Sequence, residues 1–120
     1  MIHCMLPLAE LDSAKAEQSP AMFVDQGVPR LFNAMFQRGS RKQRLRVGLA
    51  GAARVLKGNG MFRIGERNIE TCQNLLKKNN ISVHVNATGG EQSRTIFLNV
   101  GTGEFSVRCG GKEKTYELSK

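Results

Sequence analysis

Few side chains in this chain of 120 residues could do covalent chemistry: Cys4, Cys72 and Cys109, with His3 and His84. A cysteine beside a histidine is the first pairing to test, because a thiol attacks carbonyl carbon as its thiolate. It needs a base or a cation nearby to be one at neutral pH. His3 and Cys4 are neighbours in sequence, but "MIHCMLP" alternates. Ile2, Cys4 and Leu6 lie on one face and Met1, His3 and Met5 on the other, so the stretch reads as a strand stopped by Pro7. Successive side chains of a strand point to opposite faces, and the neighbours therefore cannot form a dyad. Cys72 and Cys109 fall on the apolar faces of a helix and a strand and read as core cysteines. His84 alternates outward between Val83 and Val85. On the residues alone, His3 reads as a hydrogen-bonded structural histidine at a strand end. There is no pair of closely spaced carboxylates, no metal-ligand spacing and no cofactor motif; "GNGMFRIG" lacks the Lys-Ser/Thr that would hold phosphate and magnesium.

The elements that position these residues follow from periodicity. Residues 8–20 are mixed and polar and read as a loop. Val28, Leu31, Phe32 and Met35 fall at i, i+3, i+4 and i+7, a core-facing helix stripe. Pro29 suits a first helical turn or kinks a helix that begins earlier, and Gly39 suits its C-terminal stop. "RLRVGLA" reads as a strand with Leu45, Val47 and Leu49 on one side. A second helix runs from about Gly65 to Lys78 and buries Ile69, Cys72, Leu75 and Leu76, with Arg67 and Asn68 in its first turn. "ISVHV" and "EFSVRC" alternate as strands, "RTIFLNV" is more continuously apolar, and "GTG" joins the last two as a hairpin. "KEKTYELSK" reads as a short edge strand or a frayed end. Strands and helices mix without strict alternation, which points to an α/β (α+β) fold of layered mixed sheets flanked by helices, not a doubly wound sheet. The chain opens directly in a strand pattern, as a domain entered partway through would.

Length fits one domain, residues 1–120, and no apolar run approaches the roughly 20 residues of a membrane span. The N-terminus lacks a basic region ahead of an apolar core and does not read as a secretory signal. An odd number of cysteines without metal spacing argues against disulfides and zinc and for a reducing cytoplasm. Eighteen basic against ten acidic residues give a net charge of +8, which favours acidic partners. The densest cluster, "RGSRKQRLR" with Arg38, Arg41, Lys42, Arg44 and Arg46, reads as a solvated connection. Nucleic-acid binding is a weaker reading, since the cluster has no interleaved aromatics to stack on bases.

One stretch resists a purely local account: "AGAARVLKGNGMFRIGERNIE", residues 50–70, is small, then basic, then helical. It is the floor of a site or a tight turn. Taken in order, "AGAARVL", "GMFRIGERN", "NISVHVNATGGEQSR" and "TGEFSVR" resemble the chemoreceptor glutamine deamidase family, CheD. That family reads approximately G-G-A, I-G-x-R-N, G-G-x-x-G-R and T-G-x-x-x-V-R, and "MIHCMLP" resembles its G-M-x-H-x-x-L-P. The resemblance spans nearly the whole chain. It implies a cytoplasmic chemotaxis protein that hydrolyses glutamine side-chain amides on methyl-accepting receptors, with a fold related to cysteine-dependent toxin deamidases and with the CheC phosphatase as a further partner. No cofactor is implied. The motif histidine falls on His3, which becomes the general base. Gly51 and Ala52 become close packing beneath the site, and Gly89, Gly90 and Arg94 a turn that the arginine anchors. Arg67 and Asn68 cap their helix or hold the substrate loop.

Two family glycines are replaced, by Ala50 and Ser93; a turn needing positive φ at position 93 would be strained. The family's nucleophilic cysteine sits in a G-S-C turn ahead of the G-M-x-H strand, and none of Cys4, Cys72 and Cys109 occupies its position. The resemblance thus implies a domain lacking its N-terminal portion. Such a chain would be a poor catalyst that keeps the fold, or a CheD-like module that binds receptors or the phosphatase.

Overall fold

The computed structural model describes residues 1–54 and 63–118, so the middle of the 50–70 stretch and the last two positions of the tail lie outside the described residues. The chain groups into two compact units, one formed by Met1–Leu45 with Arg67–Ile81, the other by Arg46–Glu66 with Ser82–Lys120.

In the first unit the opening segment keeps its alternation but is not a strand. Ile2, Cys4 and Leu6 are half-buried while Met1, His3 and Met5 are exposed. Among the described residues it forms one bridge, Leu6 with Phe23, supported by Met5 and Leu6 N–H donating to the Met22 carbonyl at 2.7 and 3.0 Å. The partner is a single turn and not an extended strand, so the ladder cannot propagate. Residues 8–20 are helical, which corrects the loop expectation. A 3-10 turn Ala9–Leu11 leads to α1, Ser13–Gln18, and a second 3-10 turn, Pro20–Met22. Asp12 caps α1 by accepting from the Lys15 N–H at 3.1 Å.

Helix α2, Val24–Gln37, begins a turn before the proline, so Pro29 sits inside it. The buried stripe is correspondingly shifted to Val24, Gly27, Val28 and Phe32. Leu31 is half-buried and Met35 is exposed, so the stripe expected through Met35 ends a turn earlier. At Gly27 an added Cβ would lie 2.6 Å from the Ile2 side chain, and the glycine lets the opening segment pack onto the helix. Gly39, at φ +96°, closes α2: its N–H donates to the Phe36 carbonyl and Ser40 N–H to the Met35 carbonyl, a Schellman pair. Helix α3, Ile64–Lys78, ends the same way through Asn80 at φ +57°, with Ile81 N–H donating to the Leu76 carbonyl at 2.9 Å. Ile81 and Leu76, the two ends of that motif, are both buried.

The second unit holds two small sheets. Strands β1 (Val47–Gly51) and β2 (Val83–Thr88) pair in parallel; β3 (Thr95–Leu98), β4 (Glu104–Cys109) and β5 (Lys112–Glu117) form an antiparallel meander. The fold is thus mixed α/β, as expected. Strand β3, though continuously apolar in its middle, alternates exposed with half-buried, and Phe97 faces out beneath the Arg108 guanidinium, 5.2 Å from the ring centre. Asn99 Oδ1 accepts from the Gly101 and Thr102 N–H groups and shapes the "GTG" hairpin. The tail forms the edge strand, joined to β4 through Gly110 and Gly111, both at positive φ as a two-residue hairpin requires.

The core of this unit is Val85, Phe105 and Val107, packed by Ala50, Ala87, Ile96, Leu98, Tyr116 and Leu118. Strand β1 alternates, with Val47 and Leu49 on one face and Gly48 and Ala50 on the other. The face of Gly48 and Ala50 meets the meander, where a Cβ on Gly48 would lie 2.8 Å from the Phe105 ring, and the register with β2 slips between Val47 and Gly48. The residue left over opposite that slip is His84. Its Nδ1 accepts the Val47 N–H at 3.2 Å, supplying an acceptor that the interrupted ladder lacks. With the proton of the neutral ring thereby on Nε2, the Arg46 guanidinium 3.3 Å away makes a contact and not a second hydrogen bond.

Candidate functional site

In the second unit, five of the residues singled out by sequence come together around two adjoining turns. Gly51 at φ +100° and Ala52 at φ +54° reverse the chain as β1 ends. Gly51 needs its glycine for that dihedral, since the space around it is open; Ala52 holds a left-handed conformation that an L-residue adopts at a cost of about 1–2 kcal/mol. Gly89 and Gly90, at φ +88° and +69°, reverse the chain after β2. The two turns are stitched by Gly89 N–H to the Gly51 carbonyl and Arg54 N–H to the Gly90 carbonyl, each at 2.9 Å.

Arg94 locks the arrangement. Its half-buried Nη1 donates to the carbonyls of Gly51 at 3.1 Å and Gly89 at 2.8 Å and lies 3.4 Å from that of Gln92. A guanidinium is suited to this because it presents several donors in one plane and stays charged. Position 93 is free of strain, because Ser93 is not at positive φ, and Ala50 fits within the packed core. Sequence reasoning passed over Gly65. A Cβ there would meet the Ala52 backbone at 2.8 Å, so this glycine is what lets the start of α3 close on the turn. A glycine one residue inside a helix, where it costs helix stability, was the available signal. Arg54 and Glu66 add an exposed ion pair at 3.6 Å across the same contact.

In the first unit, His3 is exposed on the opposite parity from half-buried Cys4, as the alternation requires, and the two form no dyad. Burial pushes the Cys4 thiol up to about 11, and the charge Cys72 would carry adds to the effect. Burial raises Cys72 as well. Both are therefore thiols at neutral pH, the opposite of an activated nucleophile. Cys109, on β4 in the second unit, donates its S–H to Gln92 Oε1 at 3.3 Å. All three cysteines are free and half-buried.

Arg67 is exposed. Asn68 does not cap its helix, which starts at Ile64; its Nδ2 instead donates to the Met5 carbonyl at 3.1 Å, two residues from His3. Its Oδ1 is buried and has no hydrogen-bond partner among the described residues. The basic cluster from Arg38 to Arg46 is exposed apart from Ser40 and Leu45, with a 3-10 turn at Lys42–Arg44. Among the described residues no three His, Cys, Asp or Glu side chains group as a metal site would, and no helix is long and apolar enough to cross a membrane.

Comparison with known proteins bears on both groups of residues. Residues 5–109 match the family described as CheD chemotactic sensory transduction. The chain is 38% identical over 111 residues, 92% of its own length and 69% of the relative's, to a probable chemoreceptor glutamine deamidase of Syntrophus aciditrophicus. A probable chemoreceptor glutamine deamidase of Syntrophotalea carbinolica is 40% identical over 114 residues, covering 93% of this chain and 70% of the relative. One from Pyrococcus abyssi is 34% identical over 122 residues, covering 97% and 74%.

Proposed function

Because this chain belongs to the CheD family over residues 5–109, we propose that it acts in the cytoplasm as a chemoreceptor glutamine deamidase. It converts glutamine side chains of methyl-accepting receptors to glutamate with release of ammonia. The observation that carries this reading is the shared name of relatives that align with more than nine-tenths of the chain. A CheC-type phosphatase is the further partner the family resemblance implies.

The chemistry is acyl transfer. A thiolate adds to the carboxamide carbon, the C–N bond breaks, and the departing nitrogen takes a proton from His3 and leaves as ammonia. Water then adds to the thioester carbon, His3 takes a proton from it, and the sulfur leaves, so amide and water become carboxylate and ammonium. Backbone N–H groups facing the developing oxyanion contribute about 3 to 4 kcal/mol each in such reactions. His3 suits its part by being exposed. The attacking sulfur is none of the three thiols in residues 1–120: Cys4 and Cys72 hold their protons well above neutral pH, and Cys109 lies far along the sequence from the family's nucleophile position. In this reading the 120 residues supply the histidine and the binding surface. The raised thiols also favour a second reading, in which these residues dock on receptors without turning them over.

One experiment separates the two. The folded 120-residue chain is mixed with a receptor cytoplasmic fragment, alone and together with the cysteine-bearing N-terminal segment of a relative. Ammonia and retention are both measured. Retention alone, with ammonia appearing when the segment is added and disappearing in His3→Ala, supports the deamidase. Retention that never yields ammonia leaves the docking module. Failure to retain the fragment refutes both. Turnover by the chain alone that is abolished by Cys4→Ser, Cys72→Ser or Cys109→Ser refutes the account of the sulfur.

A further inference from the structure

Asn68 carries two observations that the mechanism above does not use. Its Nδ2 bonds the Met5 carbonyl at 3.1 Å, and its Oδ1 is buried with no partner among the described residues. The orientation of the amide follows from chemistry, because an oxygen turned toward a carbonyl would face a second acceptor. The leftover atom is therefore an acceptor. A buried acceptor without a donor costs roughly 1–3 kcal/mol, and folded chains keep few of them. Since the atom has almost no accessible surface in the free chain, it is explained when a ligand displaces what covers it and brings the donor. This one belongs to a side chain bonded to the backbone two residues from the histidine that handles the leaving group's proton.

Resting on the deamidase reading, we propose that Asn68 determines specificity: Nδ2 holds the segment bearing His3, and Oδ1 accepts an N–H from the substrate's side-chain carboxamide. A carboxamide has two N–H donors, whereas the carboxylate that replaces it has none. Substrate thus satisfies Oδ1, and product sets acceptor against acceptor. A site built around such a hydrogen bond rejects the analogue lacking it far more strongly than an apolar pocket could. The side chain that admits glutamine therefore also expels glutamate once the amide is gone.

The test uses the isotope-labelled chain and two probes, N-acetyl-glutamine methylamide and N-acetyl-glutamate methylamide. Amide spectra are followed through the Asn68 Nδ2 signals. The glutamine compound is expected to shift those signals and to bind at least about tenfold tighter than the glutamate compound, the factor that about 1.4 kcal/mol represents. Asn68→Leu removes the acceptor and is expected to bring that ratio close to one. If Asn68→Leu does not fold, the wild-type shift and ratio decide. A glutamine preference that survives in folded Asn68→Leu, or wild-type Asn68 signals unmoved by glutamine, overturns the inference. If a receptor fragment is still retained, the deamidase reading stands without it. If neither compound nor fragment binds, both fall.

Discussion

The unactivated state of Cys4 gives the sharpest prediction. Burial beside Cys72 moves this thiol from its ordinary 9.0 to about 11. Near neutral pH it therefore holds about 100-fold less thiolate than the same residue in the unfolded chain, and thiolate is the reactive form. A more basic thiolate is intrinsically more nucleophilic, and a Brønsted slope of about 0.4–0.5 returns about eightfold of that loss. Alkylation of native Cys4 by iodoacetamide is thus expected to run about tenfold slower than in urea-unfolded chain at about pH 7.5, with half-burial slowing it further. The measurement is peptide mapping by mass spectrometry over a time course, repeated from about pH 7 to 10. The rate should climb steadily with pH throughout, since no plateau falls below the raised value. Cys72→Ser should speed Cys4 only modestly, because the neighbour is the smaller of the two causes. Native Cys4 reacting as fast as in the unfolded chain, or a plateau near neutrality, would refute the reasoning. It would also make Cys4 a nucleophile after all.

Three other outcomes follow from the geometry. Since Cys4 and Cys72 keep their protons longer folded than unfolded, their contribution to stability is whole below about pH 9 and declines as pH rises toward about 11; urea midpoints measured across that range should fall less steeply in the Cys4→Ser, Cys72→Ser double variant. Arg94→Ala strands the Gly51 and Gly89 carbonyls and should cost about 1.5–3 kcal/mol in urea unfolding, with faster hydrogen exchange at the Gly89 and Arg54 amides; Arg94→Lys should recover only part of it. Gly65→Ala drives a methyl into the Ala52 backbone and should destabilise by about 1–3 kcal/mol, whereas Ala52→Gly relieves a left-handed alanine and should be neutral to stabilising by about 1 kcal/mol in thermal melts.

By itself, the sequence determined what is local. The stripe of α3, the stop at Gly39, the "GTG" hairpin and the opposed parity of His3 and Cys4 each depend on residues within a turn or two of one another. Their spacing carries that information. Family membership was legible for a related reason, since short motifs in a fixed order survive as strings. Local pattern failed where a partner had to be supplied: the opening segment alternates like a strand yet meets a single turn, and Asp12 starts a helix in a stretch too polar to show a stripe. Only the tertiary structure decided which faces meet. That Gly48 lies against the Phe105 ring, and that His84 is left over where the register with β2 slips, depends on distant strands, and the hydrogen bond from Asn68 to Met5 joins residues 63 positions apart. Arg94 became an anchor because two separate turns bring their carbonyls to it. Such contacts are set by the path the chain takes back through space, and periodicity along the chain holds no record of that path.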